Sequence, residues 1–340
     1  MLNRVVVSAI VAGLVVLPTR SDVSSQVRSL LQTIGGLTVS QIASVERGEA
    51  VARVLRTERR EIAVFGAVRI HGRRDRLIDR YRDVTNLRKS DIVLQIGTFG
   101  RPPRTDDLLA LAFEDYDLDA PRNCVPGDCP VRLSADMMTR MRAAVSWGAP
   151  DARRQSAAAW RDALTELVRG YISAGDVSLP EYANKEEPLS VRTELDRIYA
   201  QFGFLSDVSP EFLRYIRKYP HDRLEGAEDT IYWSKNDLGI RPVMGIAHQT
   251  TYAPAGKPAL IAVKRIYAAH YVDGGLSVTV LTDDAGGGFY MMTIERIRTR
   301  SLTSFMRTFV RSTVQGKSRD GIEKMLRSSK RSIEQPARVP

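Results

Sequence analysis

From Asp229 to Ile297 the chain alternates bulky and small residues in successive short runs, and a basic amphipathic pattern then takes over to about Glu334. A period of two marks half-buried strands, and a period near 3.6 marks a helix with one apolar face. In Val243–Tyr252 the even positions Met244, Ile246, His248, Thr250 and Tyr252 are the larger ones. In Leu260–Tyr271 the bulk falls on Ile261, Val263, Tyr267 and Tyr271, and Pro254-Ala255-Gly256 reads as the hairpin loop between the two runs. Leu276, Val278 and Val280 continue the series, Asp283–Gly288 is a Gly-rich turn, and Phe289–Ile297 closes it. Helical spacing follows at Leu302, Phe305, Met306, Phe309 and Val310 and resumes at Ile322, Met325, Leu326 and Ile333. The opposite face carries Arg307, Arg311, Lys317, Lys324, Arg327 and Lys330. The expected fold class is α+β: a curved antiparallel sheet with a long C-terminal helix laid across it, enclosing an apolar-lined concavity.

Upstream, Val27–Ile34 reads as a helix stopped by Gly35-Gly36, and Thr38-Val39-Ser40-Gln41 has capping-box spacing for a second one. Ala50–Leu55 and Glu61–Ile70 read as paired strands, Arg73–Tyr81 as a short helix, and Ile92–Phe99 as an alternating strand. From Ala135 to about Tyr219 the period becomes helical, as at Met137, Met138, Met141 and Val145 and at Trp160, Leu164, Leu167, Val168 and Tyr171. The organisation is therefore a signal segment (1–21), N-terminal helices and first strand (22–60), the first part of an α+β domain (61–134), a helical insertion (135–220), the terminal sheet and helix (221–334) and a tail (335–340).

The first residues predict export. One charge in Met1–Arg4 precedes an almost unbroken apolar run, Val5–Pro18, before polarity returns at Thr19–Asp22. The run is short of the ~20 residues that span a bilayer; an uncleaved anchor and a cytoplasmic chain with a buried first helix are the alternatives. The two cysteines agree with export. They sit in Cys124-Val-Pro-Gly-Asp-Cys129, whose Pro126-Gly127 suits a type II turn that folds the chain back on itself. In an oxidising, periplasmic or secreted setting this reads as a disulfide clip. A zinc site lacks two further ligands nearby, and a redox pair is usually spaced Cys-x-x-Cys.

With 340 residues and 43% hydrophobic content the chain can bury a large core. Its formal charge of +10, or +8 without Arg4 and Arg20, favours anionic envelope surfaces over nucleic acid in an exported protein, or is simply a solvated basic surface.

The segments Tyr232-Trp233-Ser234-Lys235, Gly245-Ile246-Ala247-His248-Gln249-Thr250-Thr251-Tyr252 and Lys264-Arg265-Ile266-Tyr267-Ala268-Ala269-His270-Tyr271, with the cysteine clip upstream, resemble a family of exported bacterial proteins of unknown function. The likeness covers most of the mature chain. The sheet and terminal helix also resemble, more distantly, the helix-grip fold of START-type lipid and polyketide binders. Neither resemblance implies catalytic residues, and the helical insertion departs from a minimal helix-grip domain.

Arg265 shares strand parity with Ile261, Val263, Tyr267 and Tyr271, so a buried guanidinium there needs an anion, either a ligand headgroup or an internal carboxylate. His248, Tyr252, Tyr232 and Trp233 complete a candidate ligand-binding set with Arg265, Tyr267 and Tyr271. Strand parity places His248 and His270 on different faces, which argues against a shared metal. His71 and His221 offer no constellation. Gly275-Leu276-Ser277-Val278-Thr279 lacks the last glycine of a nucleophile elbow. Asp115-x-Asp117-x-Asp119 opens like a calcium loop but has Ala120 and Pro126 where glycine and glutamate are required, and reads as a solvated acidic loop. No cofactor or metal is expected and no catalytic residue stands out. The expected function is noncatalytic binding of a lipid-like or other amphipathic ligand, with an envelope interaction or scaffold protein as the alternative and an enzyme using His248 as acid or base as a second.

Overall fold

The computed structural model describes residues 21–87, 92–237, 241–300 and 307–335. The apolar run Val5–Pro18, expected to direct export, lies outside them. Two helices, α1 (Ser21–Thr33) and α2 (Val39–Glu46), come first. The capping box at α2 forms as its spacing predicts: Gln41 N–H donates to Thr38 Oγ1 at 3.3 Å, and Thr38 N–H to Gln41 Oε1 at 3.0 Å. Strands β1 (Val51–Val54) and β2 (Glu61–Ile70) follow, then α3 (Arg74–Arg82), α4 (Val84–Leu87) and β3 (Val93–Thr98). The central block holds α5 (Asp115–Asp119), α6 (Ala135–Ala143), α7 (Ala152–Ala174), a small hairpin of β4 (Glu181–Tyr182) and β5 (Leu189–Ser190), then α8 (Val191–Tyr199), α9 (Leu205–Val208) and α10 (Pro210–Lys218). It ends in the meander β6 (Ala227–Asp237), β7 (Pro242–Tyr252), β8 (Ala259–Ala268), β9 (Gly274–Asp283) and β10 (Phe289–Arg298), and in α11 (Arg307–Glu334).

Eight strands form one antiparallel sheet in the order β1-β2-β10-β9-β8-β7-β6-β3, not closed into a barrel. The meander supplies its centre, and β2 joins β10 in register over ten residues, from Ile70 opposite Phe289 to Glu61 opposite Arg298. This is the α+β architecture expected, a large antiparallel sheet with a C-terminal helix, and it is compatible with a helix-grip arrangement.

Alternation along each strand sends side chains to two covered faces. On one face α11 and α3 pack against Ile62, Val64, Val68, Ile70, Ile261, Leu281, Phe289 and Met291. Ile322, Leu326 and Ile333 of α11 are buried there, each worth about 1.5–3 kcal/mol. Leu302 and Phe305 of the expected stripe lie outside the described residues, as do the side chains of Arg307, Phe309 and Val310. Gly66 of β2 makes the close approach possible, because a Cβ there would stand 2.5 Å from Ile322 Cγ2 and 2.8 Å from Leu326 Cδ1. Arg311 pins one end of α11 through Thr57 Oγ1 at 2.7 Å and Arg59 O at 2.8 Å, while Glu334 accepts the His71 N–H at 2.8 Å at the other. The helix lies mainly on β1 and β2, the edge remote from β6 and β7.

The second face carries α1, α2 and the helical insertion over a much larger core that includes Phe65, Trp160, Tyr171, Phe202, Phe212, Trp233 and Tyr267. Cys124 and Cys129 are disulfide-bonded and fully buried in it. Their loop docks on the small hairpin, with Gly127 N–H donating to Ala183 O at 2.7 Å and Cys129 N–H to Asn184 O at 3.2 Å.

Two expectations need correction. The acidic run is no solvated loop: it forms α5, with Asp117 buried and bonded to His270 and with Asp115 and Asp119 paired to Arg153. The alternation assumed through Tyr271 breaks at a bulge in β8, where Arg265 lies opposite Ala247 but Tyr267 opposite Ile246, leaving Ile266 as the extra residue. An inserted residue reverses the facing of everything beyond it.

Candidate functional site

A group of buried titratable side chains centred on His248 forms where the insertion meets the sheet. Strand pairing alone assembles half of it: His248 lies directly opposite Lys264 on β8 and opposite Ile231 on β6, with Asp229 two residues along β6. All point to the insertion face. From the other side come Tyr171 on α7, Asp176 in the turn after it, Tyr199 at the end of α8, Tyr215 on α10, and Tyr219 just beyond α10.

Each polar atom of the imidazole is engaged. Nε2 meets Asp229 Oδ1 at 2.8 Å and Nδ1 meets the Tyr171 hydroxyl at 2.7 Å. The assignment that satisfies every donor has Nε2–H donating to the carboxylate and Tyr171 O–H donating to Nδ1. Asp229 also accepts from Thr250 Oγ1 at 2.7 Å and from the Tyr215 hydroxyl at 2.5 Å. Tyr219 packs against the imidazole at a tilt of 50°, with ring centroids 4.3 Å apart. Lys264 donates to Asp176 Oδ1 at 2.7 Å, and its ammonium lies over the rings of Tyr171 and Tyr199 at 5.3 and 5.6 Å. Tyr199 O–H reaches Asp176 Oδ2 at 3.2 Å.

Burial governs the protonation of this group. It pulls the His248 pKa down, opposed in part by Asp229, so the imidazole is neutral where a solvated one would begin to charge. Burial pushes Asp229 up, but the hydrogen bonds from His248, Tyr215 and Thr250 outweigh it and hold the carboxyl below its usual range. Burial likewise lowers Lys264 against the pull of Asp176, and raises the Tyr171 hydroxyl well above an ordinary phenol. His248 thus has two titratable neighbours within hydrogen-bond reach, as acid–base chemistry would require. Its side chain is 1% exposed and both nitrogens are occupied, so no reacting group meets it in this arrangement.

The seven sequence candidates do not converge. His248, Trp233, Tyr252 and Tyr267 lie in the insertion-face core, whereas Tyr232 packs with Val84, Ala247 and Val263 on the opposite face. Arg265 is partly exposed and pairs with Glu295 of β10 at 3.2 Å, so the internal carboxylate alternative describes it. Trp233 Nε1–H donates to Asp107 O at 2.8 Å, the Tyr267 hydroxyl to Arg132 O at 3.3 Å, and Tyr252 stacks on Phe212 at 6.0 Å. Tyr271 lies just past β8 with φ +59°, the left-handed region that a bulky residue rarely adopts. His270 bonds Asp117 at 2.9 Å, which puts it too on the insertion side; it lies beyond the end of β8 at Ala268, where strand alternation no longer sets the facing, and so the expected opposition of the two histidines fails. Each histidine has its own carboxylate, and no group of three or more potential metal-ligating side chains occurs among the described residues.

Sequence reasoning chose Arg265 and passed over its neighbour Lys264. The signal was present, since Lys264 is a charge on the same strand parity as Leu260 and Ala262, which face the core. Asp176 and Tyr199 carry no local signal, because only the tertiary fold brings them to Lys264. No helix among the described residues is long and apolar enough to cross a membrane. No protein-family model matches the chain and no curated protein is similar to it, so the family likeness rests on the quoted segments alone and gives no residue a role.

Proposed function

We propose that this is an exported, noncatalytic interaction protein that docks on anionic phosphate surfaces, with the outer face of α11 as the contact. The observation that carries the reading is the placement of charge. Residues 307–334 hold eight basic against three acidic residues, half of the chain's formal charge of +10. Lys317, Lys324 and Arg331 recur every seven residues and are exposed, in line along the helix and turned away from buried Ile322, Leu326 and Ile333. Arg319 and Arg327 are exposed beside them, and Arg56 and Arg59 are exposed after β1, the strand that α11 overlies. Each Lys or Arg held near an anionic membrane is worth about 1 kcal/mol. The buried disulfide agrees with an oxidising compartment, periplasmic or extracellular.

An amphipathic ligand held inside the fold has less support. Cavities beside Arg265 and Tyr267 and beside Phe65 and Met292 each offer about 10 Å³, where a hydrocarbon site needs several hundred. Cosedimentation with phosphatidylglycerol vesicles tests the surface reading. The parent should bind, lose binding as salt is raised, and ignore phosphatidylcholine vesicles. Lys317→Glu/Lys324→Glu/Arg331→Glu should abolish binding with its circular dichroism unchanged. Equal binding by parent and variant, or binding by neither, would overturn it.

A further inference from the structure

Close to the turn between β8 and β9, two residues with buried, unpartnered polar atoms line one small space, and a third such residue is bonded to one of them. The Tyr182 hydroxyl on β4 and Asp273 Oδ2 belong to residues that line a cavity of about 10 Å³, and neither atom has a hydrogen-bond partner among the protein's groups. Tyr182 is 0% and Asp273 3% exposed, so bulk solvent does not satisfy them. The third atom is Arg132 Nε, also buried and unpartnered. Arg132 already donates from Nη2 to Asp273 Oδ1 at 2.5 Å. In a guanidinium, Nη2 and Nε present their hydrogens along the same edge, the edge that grips a carboxylate in a fork. Here only one tine of the fork closes, and the unused donor and the unused oxygen sit side by side. Arg300 does not take the oxygen directly, its Nε standing 4.0 Å from Oδ2; its backbone exerts a weaker pull on the same carboxyl.

We infer that this cavity is a built site for one water molecule, which accepts hydrogen bonds from Tyr182 O–H and Arg132 Nε–H and donates one to Asp273 Oδ2. Size and chemistry both select it. About one probe sphere of room holds a single water, and a buried water needs two to four polar partners. Ammonium has no lone pair for the two donors, and chloride would meet the Asp273 carboxylate. A neutral molecule that both accepts and donates fits all three atoms. The water would tie together three segments remote in sequence: the loop before α6 that carries Arg132, hairpin strand β4, and the turn that contains Tyr271 in its left-handed conformation. Leaving a buried donor or acceptor unmade is costly, whereas a bridging water recovers most of a direct bond. The inference is independent of any surface role for α11.

A crystal structure sharp enough to show ordered solvent decides it. One water oxygen should lie within about 3.2 Å of both Tyr182 Oη and Asp273 Oδ2. In solution, oxygen-17 relaxation dispersion counts long-lived internal waters, and Tyr182→Phe, which keeps the edge-on packing of this ring against Tyr267, should show one fewer than the parent. A dry cavity, with Arg132 Nε turned directly onto Asp273 Oδ2, would overturn the inference. So would an unchanged count of long-lived waters in a folded Tyr182→Phe protein, and if that variant does not fold, the crystal structure of the parent alone decides.

Discussion

The two faces of the sheet are sealed by opposite means. Under α11 and α3 the contact is made of Leu, Ile, Val, Phe and Met side chains, and Gly66 lets the helix settle against the strand. Under the insertion, apolar packing is interrupted by polar groups taken out of water: the ion pairs of Lys264 with Asp176, Arg132 with Asp273 and Arg298 with Glu194, and the imidazole–carboxylate hydrogen bonds of His248 with Asp229 and His270 with Asp117. An apolar seal gains stability wherever it can exclude water, and it tolerates many arrangements. A buried ion is tolerated only where its partner stands, so the insertion face trades net stability for a single allowed seating.

Substitutions test that contrast. The largest effect is expected at the charged seal: Lys264→Met strands Asp176 and should cost about 3–5 kcal/mol in chemical denaturation, while Lys264→Met/Asp176→Leu, which removes both charges, should recover most of the loss. A double variant no more stable than the single would mean that packing, and not charge, sets the cost. At the apolar seal, Leu326→Ala should cost about 3 kcal/mol through the lost transfer energy and the cavity left behind. That cost should be equal at neutral and acidic pH, since no titratable group is removed; a pH-dependent cost would erase the distinction between the faces.

Mild acid should act first on the insertion face. Because the folded pKa of His248 is depressed, the unfolded chain takes up a proton near pH 6.5 that the native state refuses. Stability is therefore complete above about pH 6.5 and falls as pH drops toward the depressed folded value, by at most about 1.4 kcal/mol per pH unit. Asp229, also depressed, adds a loss of the same sign below its unfolded value near 3.9. His248→Leu should flatten the upper part of this profile even though the variant is less stable overall, and an unchanged profile would assign the titration to another group. The smallest effect is expected on the outer side of α11, where Lys317→Glu should shift stability by less than about 0.5 kcal/mol. A larger loss there would mean the basic face supports the fold as well as any partner.

Much of this architecture is legible in the chain. The expected strand Glu61–Ile70 matches β2 residue for residue, and the Thr38 capping box forms as spaced, because alternation and capping are local consequences of side-chain chemistry. The facing of Tyr267 was not legible, since the bulge at Ile266 is a property of the pairing with β7 and leaves no mark in hydrophobic pattern, and His270 lies past the end of β8, where alternation says nothing. The buried network was half legible. His248 and Lys264 show themselves as polar residues on core-facing parity, whereas Asp176 and Tyr199 lie in loop and helix sequence that gives no sign of which strand they will meet. Arg265 looked like a ligand contact because sequence cannot reveal Glu295 two strands away in the sheet.

The register of β2 on β10 also bears on how the chain reaches this state. β6 to β10 can assemble from successive hairpins, each closing a short loop. β2 must instead find β10 across the whole insertion, and β3 must find β6 across most of it. Long closures slow folding. The N-terminal strands, made first and passed first through any export channel, therefore wait for the last strand to arrive. Until then β2, apolar on both sides, has no neighbour but the four-residue β1, and that interval is when the protein is most exposed to aggregation or to capture by a chaperone.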